Sequence, residues 1–490
     1  MTPSLRPRLA AMAALGALAA VAAGCTTNPA TGEQNFTPFM TTDQEIALGN
    51  KEHPKVLASL GGDYDERPAI NRYVNRLGQR LQRVSEVTQP PFTLTVLNSS
   101  EVNAFALPGG YIYVTRGLMA LANSEAELAG VIAHEIGHVT ARHAAQRYNR
   151  TIFAQLGAAV LGAATGSRLV GDLSRFGASA YVQGYSREQE LEADLLGVRY
   201  LKRAGYEPRA MADFLATMAA ESALAAKIAG REGSEPEASL FSSHPRTVKR
   251  VARAAEAARG GQPGLRVGGD EYLLLLDGTL FGDDPEQGIR RGRVFAHPTL
   301  GFRFKVPPGF RMRNTPKAVL ASHRNGAVVR FDGAKLGRRM SMTRYLASVW
   351  PKDLALSGIE RITVNGMDAA TGTTRANTRE GPHDLRAIAI RFESNQIYRF
   401  LILTPARVTE TLSAALRRMT FSFRPLSQRE IANLVPLRLR VRAVRRGDTV
   451  ASLAATLPFD DFRIERFRVL NGLAPGERLR RGRLVKLIGE

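Results

Sequence analysis

The sequence predicts an α+β chain with three folded parts. These are a mainly helical domain with a small edge-strand sheet at 41–258, an α/β sandwich-like domain at 270–430, and a small β-α-α-β module at 437–490. Three observations lead there. Apolar residues recur three and four apart at Ile70, Tyr73, Val74, Leu77 and Leu81, and a second helical pattern runs from Ser124 to His143; that period turns one face of a helix toward a core. Beyond Asp270 the pattern shortens to strand-like runs: Phe295 to Val306, Val328 to Phe331, Ile362 to Val364, Asp384 to Phe392 and Tyr398 to Leu403. At the C-terminal end two alternating runs, Leu439 to Val444 and Leu484 to Ile488, enclose two short helical stretches. A length of 490 residues suits about two to four domains.

In chain order, residues 1–25 read as a targeting segment rather than as structure. Arg6 and Arg8 give a positive start, Leu9 to Ala23 is a run of small apolar residues, and Ala22-Ala23-Gly24-Cys25 resembles a lipobox, the cleavage site of bacterial lipoproteins. Cys25 is the single cysteine, which leaves it the role of lipid attachment and leaves no intrachain disulfide. An ordinary cleaved signal is the alternative; the apolar run is too short for a transmembrane anchor. With Thr26 after the cysteine, the resemblance implies the periplasmic face of the outer membrane, the inner membrane or the soluble periplasm being the alternatives. Residues 26–42 read as a polar tether. Helical pattern follows from Asp43 to Arg83, Pro90-Pro91 ends it, and Phe92 to Leu97 alternates as a strand. Val102 to Gly110 leads into a second strand, Tyr111 to Val114, with Gly109 and Gly110 free to turn.

The next helix contains Val131-Ile-Ala-His134-Glu135-Ile-Gly-His138-Val-Thr-Ala-Arg-His143. Positions i and i+4 share a helix face, so His134 and His138 can present two imidazoles to one ion. Glu135 stands one residue on, within reach of a metal-activated water but not among the ligands. Ala133, Ile136, Gly137 and Val139 make this helix apolar, and polar groups are not buried without partners. A third ligand is needed. Tyr185-Ser-Arg-Glu188-Gln-Glu190-Leu-Glu192-Ala-Asp194 offers Glu190 and Asp194 as an i, i+4 pair, one carboxylate for the metal and one for a ligand histidine. Glu188 and Glu192 lie on other faces of that helix and are set aside. Thr151 to Tyr185 is small and apolar, interrupted by Arg168, Asp172 and Arg175, and reads as a lid or a packed helical element. Helices over 208–228 and 248–258 follow, a polar loop delivers Ser242-Ser-His244-Pro245, and 259–269 is a linker.

These motifs, with Asn103-Ala104-Phe105-Ala-Leu-Pro-Gly109-Gly110 upstream and His244-Pro245 to Arg250 downstream, resemble peptidase family M48, the HtpX- and BepA-like gluzincins. The resemblance covers roughly 41–258. It implies one zinc ion on His134, His138 and Glu190, with Glu135 as general base and Asp194 orienting a ligand. It implies for His244 either an extra ligand that closes over the metal or a group that stabilises the transition state, and for Arg250 a site-orienting role. It further implies that the Tyr111 strand, with Asn103, Ala104, Phe105, Gly109 and Gly110, offers an edge to a substrate backbone.

The middle domain carries no catalytic constellation: His297, His323 and His383 are isolated, and it reads as a binding or docking domain. Phe295 to Phe302, Pro307-Pro-Gly-Phe310, Asn365-Gly366 and Ser422-Phe-Arg424 loosely resemble the PsbP/Mog1-type sandwich. In the C-terminal part, Gly447-Asp448-Thr449 and Leu470-Asn471-Gly472-Leu473 resemble a LysM module, which implies peptidoglycan as a partner; Pro458-Phe-Asp-Asp461 is an insertion in that pattern. The formal charge of +22 would suit nucleic acid, but export argues for anionic envelope partners instead, and an Arg-rich coding bias gives the same excess.

Together these readings give a lipid-anchored, zinc-dependent endopeptidase of the bacterial envelope, acting on misfolded or stalled envelope polypeptides. The rivals are a periplasmic chaperone or cell-wall scaffold with a latched zinc site, and a peptidoglycan hydrolase.

Overall fold

The helical and strand periods of the sequence are realised in a computed structural model that describes residues 25–152, 184–228, 230, 244, 248–259, 265–336, 340–352, 354–378 and 381–490. The segment before Cys25, read from the sequence as a targeting signal, and nearly all of 151–185, read as a lid or a packed helical element, fall outside the described residues, as do residues 231–243 and part of 259–269. The chain divides into two units: one of Met1–Ala58, Gly62–Phe281 and Arg438–Gly489, the other chiefly Gly282–Leu437.

The first unit opens with a hairpin, β1 (Cys25–Thr27) and β2 (Gln34–Phe36), followed by α1 (Thr42–Ser59) and α2 (Pro68–Gln82). The predicted stripe of α2 is its buried face: Ile70, Val74, Leu77 and Leu81 are buried. Strands β3 (Thr93–Leu97), β4 (Ala104–Leu107) and β5 (Tyr111–Thr115) form a sheet of order β3-β5-β4. Helix α3 (Arg116–Leu121) leads into α4 (Glu125–Thr140), which starts where the Ser124 hydroxyl accepts from the Glu127 backbone N–H. Helices α5 (Arg187–Arg203), α6 (Ala210–Ile228), α7 (Val248–Ala257) and α8 (Gly269–Leu276) complete this part. Nearly every residue of α4 is buried, because α2, α5, α6 and the sheet enclose it.

Four expectations change. Residues 26–42 are not a slack tether: the hairpin folds onto the unit, with Asn28, Ala30 and Met40 buried. Tyr111–Thr115 is not an edge, because it pairs parallel with β3 and antiparallel with β4; the outer strands are β3 and β4, and among the described residues Ala104–Leu107 has no second strand beside it. The second unit begins near residue 282 rather than 270, since Tyr272 and Leu276 of α8 are buried and the Tyr272 hydroxyl donates to the Met119 carbonyl at 2.7 Å. The C-terminal segment has the expected β-α-α-β order, β17 (Arg438–Ala443), α12 (Val450–Ala454), α13 (Arg463–Leu470) and β18 (Leu484–Gly489), yet it is not a separate piece. Its Lys486 is fully buried and donates to the carbonyls of Ala120, Leu121 and Ala122 at 2.7, 3.1 and 2.7 Å. These are the carbonyls at the end of α3, which have no acceptor role inside their own helix.

The second unit is mixed α/β. Its strands are β6 (Ile289–Arg291), β7 (Val294–His297), β8 (Phe302–Lys305), β9 (Phe310–Thr315), β10 (Ala318–His323), β11 (Val328–Lys335), β12 (Ser357–Val364), β13 (Met367–Thr378), β14 (Gly381–Arg391), β15 (Gln396–Pro405) and β16 (Arg424–Pro425), and a short helix α11 (Gln428–Ala432) follows them. A seven-stranded antiparallel sheet has the order β12-β13-β14-β15-β11-β10-β9, and a smaller sheet the order β16-β8-β7-β6. One face of the large sheet packs Phe331, Phe400 and Ile388 against Phe295, Phe302 and Phe304 of the small sheet and Leu416 and Met419 of α10 (Ala406–Phe421). The other face packs Ala370, Leu385 and Ala387 against Met342, Tyr345 and Leu346 of α9 (Met342–Ser348). His297, His323 and His383 each serve local turns, and none belongs to a ligand group among the described residues.

Candidate metal centre

Helix α4 sets His134 and His138 one turn apart on one face, with Glu135 beside them, all buried. Helix α5 sets Glu190 and Asp194 one turn apart on the facing side, its start fixed by a capping box between Ser186 and Gln189. Two glycines let the helices meet. A Cβ at Gly137 would stand 3.0 Å from the Ala193 carbonyl oxygen, and one at Gly197 would stand 3.2 Å from the His134 nitrogen. Both distances are tighter than ordinary contacts, so a side chain at either position would require its neighbours to give by a few tenths of an ångström.

The result is a buried group in which ligand-type atoms of His134, His138, Glu190 and His244 all lie within 4.8 Å of one another. Among the described residues this is the one such group. His134 Nε2 and His138 Nε2 face each other at 3.0 Å, and His244 Nδ1 lies 3.3 Å from the former and 2.8 Å from Glu190 Oε1. Each α4 imidazole turns its other nitrogen away: His134 Nδ1 is 2.9 Å from Asp194, and His138 Nδ1 is 2.8 Å from His143 Nδ1. With protons on those outer nitrogens, two lone pairs point at one spot. Such an arrangement is repulsive unless a cation sits between them, so the donor set fits a metal ion, and nitrogen with carboxylate donors suit zinc. Glu135 Oε2 and His244 Nε2 are buried with no hydrogen-bond partner, a cost that a reacting group or ligand would remove.

Arg250 of α7 neutralises the carboxylates. Its guanidinium grips Asp194 with two bonds of 2.7 and 2.8 Å and reaches Glu190 Oε2 at 2.7 Å. Burial works against charge at Asp194, but Arg250 and His134 together hold its carboxyl below the usual range. Burial pushes the Glu135 carboxyl up, against the pull of His244 and His134. A carboxyl raised in this way is poised to take and return a proton.

The predicted groups thus come together with two additions. The Glu192 carboxylate, set aside in the sequence, accepts from His143 Nε2 at 3.2 Å and from Asn28 Nδ2 at 2.9 Å. Tyr185 stacks on His138 with ring centroids 3.9 Å apart, and the Arg147 guanidinium lies over Tyr185. His143 stood in the quoted motif, but Glu192 carried no local signal. The substrate-edge residues lie close by. Asn103 precedes β4, Ala104 is buried, and Phe105 stacks on Tyr113 at 4.8 Å. Gly109 and Gly110 take φ of +81° and +86°. The end of β4 and Gly109 line a cavity of about 20 Å³ together with His138 and Tyr185.

Residues 68–258 match the model of Peptidase family M48. The chain is 31% identical over 244 residues to a "Beta-barrel assembly-enhancing protease" of Yersinia pestis, covering 48% of each chain. It is 32% identical over 186 residues to a "Mitochondrial metalloendopeptidase OMA1" of Schizosaccharomyces pombe, covering 38% of this chain and 52% of that one. The chain therefore spans about half the length of the curated relatives it matches. Among solved structures, a cyanobacterial PsbP from Synechocystis aligns with 29% of this chain and 98% of its own at 13% identity and a TM-score of 0.22, a likeness too slight to carry an argument.

Proposed function

From the match of residues 68–258 to Peptidase family M48 we propose that this chain is an M48-type, zinc-dependent endopeptidase of the bacterial cell envelope that hydrolyses peptide bonds of misfolded or stalled envelope proteins. The observation that carries the reading is the pair of Nε2 atoms facing each other at 3.0 Å beside Glu190, with the Glu135 carboxyl buried alongside. His134, His138 and Glu190 are the proposed ligands. Zinc held by them would supply a Lewis acid for the scissile carbonyl and would make water nucleophilic near neutral pH. Glu135 takes the proton of the attacking water and returns it to the leaving amine. Asp194 holds the His134 ring, and Arg250 pairs with both α5 carboxylates. Strand β4, which has no second strand beside it among the described residues, accepts the substrate backbone as an added strand, which binds peptides with little demand on their side chains.

His244 stands inside the donor set. A catalytic zinc keeps a position open for substrate, and a fourth protein donor fills it. In this reading the described arrangement is a latched one, and His244 must swing out before a peptide enters. That also supports the second reading, a chaperone or scaffold in which the latch stays shut.

The envelope assignment draws on the relatives named for β-barrel assembly and on the lipobox-like segment; lipid attachment at Cys25 would hold the chain at the periplasmic face of the outer membrane. No described helix is long and apolar enough to cross a bilayer. The C-terminal module, with thirteen Arg or Lys against six acids, is proposed to meet peptidoglycan or another anionic envelope surface.

Zinc content and casein cleavage of the 26–490 protein test the reading, beside Glu135→Gln, His134→Ala and His244→Ala. One zinc per chain, lost in His134→Ala, and cleavage falling about 10²–10⁴-fold in Glu135→Gln would bear it out. Faster cleavage by His244→Ala supports the latch. Zinc bound with no cleavage by any form would favour the scaffold.

A further inference from the structure

We propose that His143, Glu192 and Asn28 form an orienting chain behind His138, so that the N-terminal hairpin is a working part of the metal centre. The inference rests on the zinc reading above. His138 turns Nε2 inward, 3.0 Å from His134 Nε2 and 3.5 Å from Glu190 Oε1. A neutral imidazole that ligates through Nε2 carries its proton on Nδ1. That proton meets His143 Nδ1 at 2.8 Å, which must therefore accept. His143 is then a donor through Nε2, and the atom 3.2 Å away is a carboxylate oxygen of Glu192. The other Glu192 oxygen receives the Asn28 amide at 2.9 Å. Asn28 Oδ1 accepts from the Ala30 backbone N–H at 2.9 Å, so its NH₂ group is the end that faces Glu192. One proton assignment satisfies every link.

The chain parallels the other ligand. His134 ends on the Asp194 carboxylate directly; His138 ends on Glu192 through an intervening imidazole. The geometry is held in place at some cost. Helix α4 stops at Thr140, and Arg142 takes φ of +56°, a conformation that non-glycine residues adopt rarely. The Arg142 side chain is pinned by Glu45 at 3.1 Å and by the Met40 carbonyl at 2.9 Å. That left-handed residue brings His143 back beneath His138, where a continued helix would carry it away. His143 and Asn28 are buried, and Asn28 directly follows β1, whose three residues all pair with β2.

The test is zinc affinity by chelator competition, with the visible spectrum of the cobalt-substituted protein and the melting temperature of the metal-free protein. Variants are His143→Phe, Glu192→Gln and Asn28→Ala, with His134→Ala as the control for the site itself. We expect zinc affinity to fall about 10–100-fold in His143→Phe, and less in Glu192→Gln, whose amide oxygen still accepts from His143. Asn28→Ala should show a smaller fall. The His143→Phe/Glu192→Gln double variant should be no weaker than His143→Phe alone, because both cut one chain. The cobalt spectrum should shift in each. Unchanged affinity and spectrum in Glu192→Gln and Asn28→Ala, even if their metal-free proteins melt lower, would overturn the proposal and leave a packing role. Should His143→Phe not fold, those two variants still decide. Wild-type protein that binds no zinc, or His134→Ala that binds as well as wild type, would instead remove the zinc reading beneath it.

Discussion

Replacing Lys486 with Met tests whether the C-terminal module belongs to the peptidase unit. The side chain is fully buried, and its ammonium donates to three carbonyls at 2.7–3.1 Å at the end of α3. Its backbone is held as well: Lys486 N–H donates to Asn471 Oδ1 at 2.7 Å, and Asn471 Nδ2 donates to the Lys486 carbonyl at 3.0 Å. Burial pulls the ammonium down to about 7 and pushes the nearby Glu127 carboxyl up to about 7, each charge supporting the other. Met fills much of the same space but leaves three carbonyls without that donor and Glu127 without its counter-charge. Each hydrogen bond to a charged group contributes about 1.5–3 kcal/mol, and desolvation of the ammonium offsets part of the sum. Removing one member of a buried pair costs about 3–5 kcal/mol, which is the expected loss. At about 1.4 kcal/mol per decade, the population with the module detached should rise by roughly two to three and a half orders of magnitude. Native-state proteolysis reads that population, and urea denaturation of the full chain reads the loss of stability. A change below about 1 kcal/mol would mean that desolvation cancels the three bonds and that other contacts hold the module.

Three further outcomes follow from the same geometry. A Cβ at Gly78 would meet a Leu94 methyl at 2.2 Å, so Gly78→Ala should separate α2 from β3 and cost about 1–3 kcal/mol by urea midpoint. Burial raises the Glu125 carboxyl, but hydrogen bonds from Tyr206, Tyr73 and Arg266 outweigh it and hold the pKa below the ordinary 4.5. The unfolded chain then binds more protons, so this contribution is intact above about pH 4.5 and is lost as pH falls through the lower folded value. Melting temperatures between pH 6 and 3 should therefore fall less steeply in Glu125→Gln than in wild type. Arg250→Leu leaves the buried Glu190 and Asp194 without their shared cation and should destabilise the metal-free protein by about 3–5 kcal/mol. Because zinc would share the Glu190 charge, the loss should be smaller in the zinc-loaded protein by calorimetry.

Much of the centre was legible in the sequence because its parts are local. Helix geometry alone puts His134 beside His138 and Glu190 beside Asp194, and no later folding event can alter either pairing. The buried stripe of α2 and the β-α-α-β order of the C-terminal segment follow from period and capping in the same way. Glu192 is illegible for an equally local reason: a helical wheel tells which face a residue occupies but not what packs there.

The remainder was decided by tertiary contact. Gly137 and Gly197 matter only because two backbones approach where they stand. Tyr111–Thr115 became central because β3 and β4 take both of its edges, an allocation that alternation cannot express. The role of Asn28 depends on a turn at Arg142 that is paid for by Glu45 and the Met40 carbonyl, groups remote in sequence. Lys486 reads as one more surface cation in an Arg-rich tail until the end of α3 meets it. The sequence by itself determined which residues share a helix face and hence the chemistry available, since those relations reach no further than a turn. Which face meets which was decided by burial across long separations, and only the folded chain could settle it.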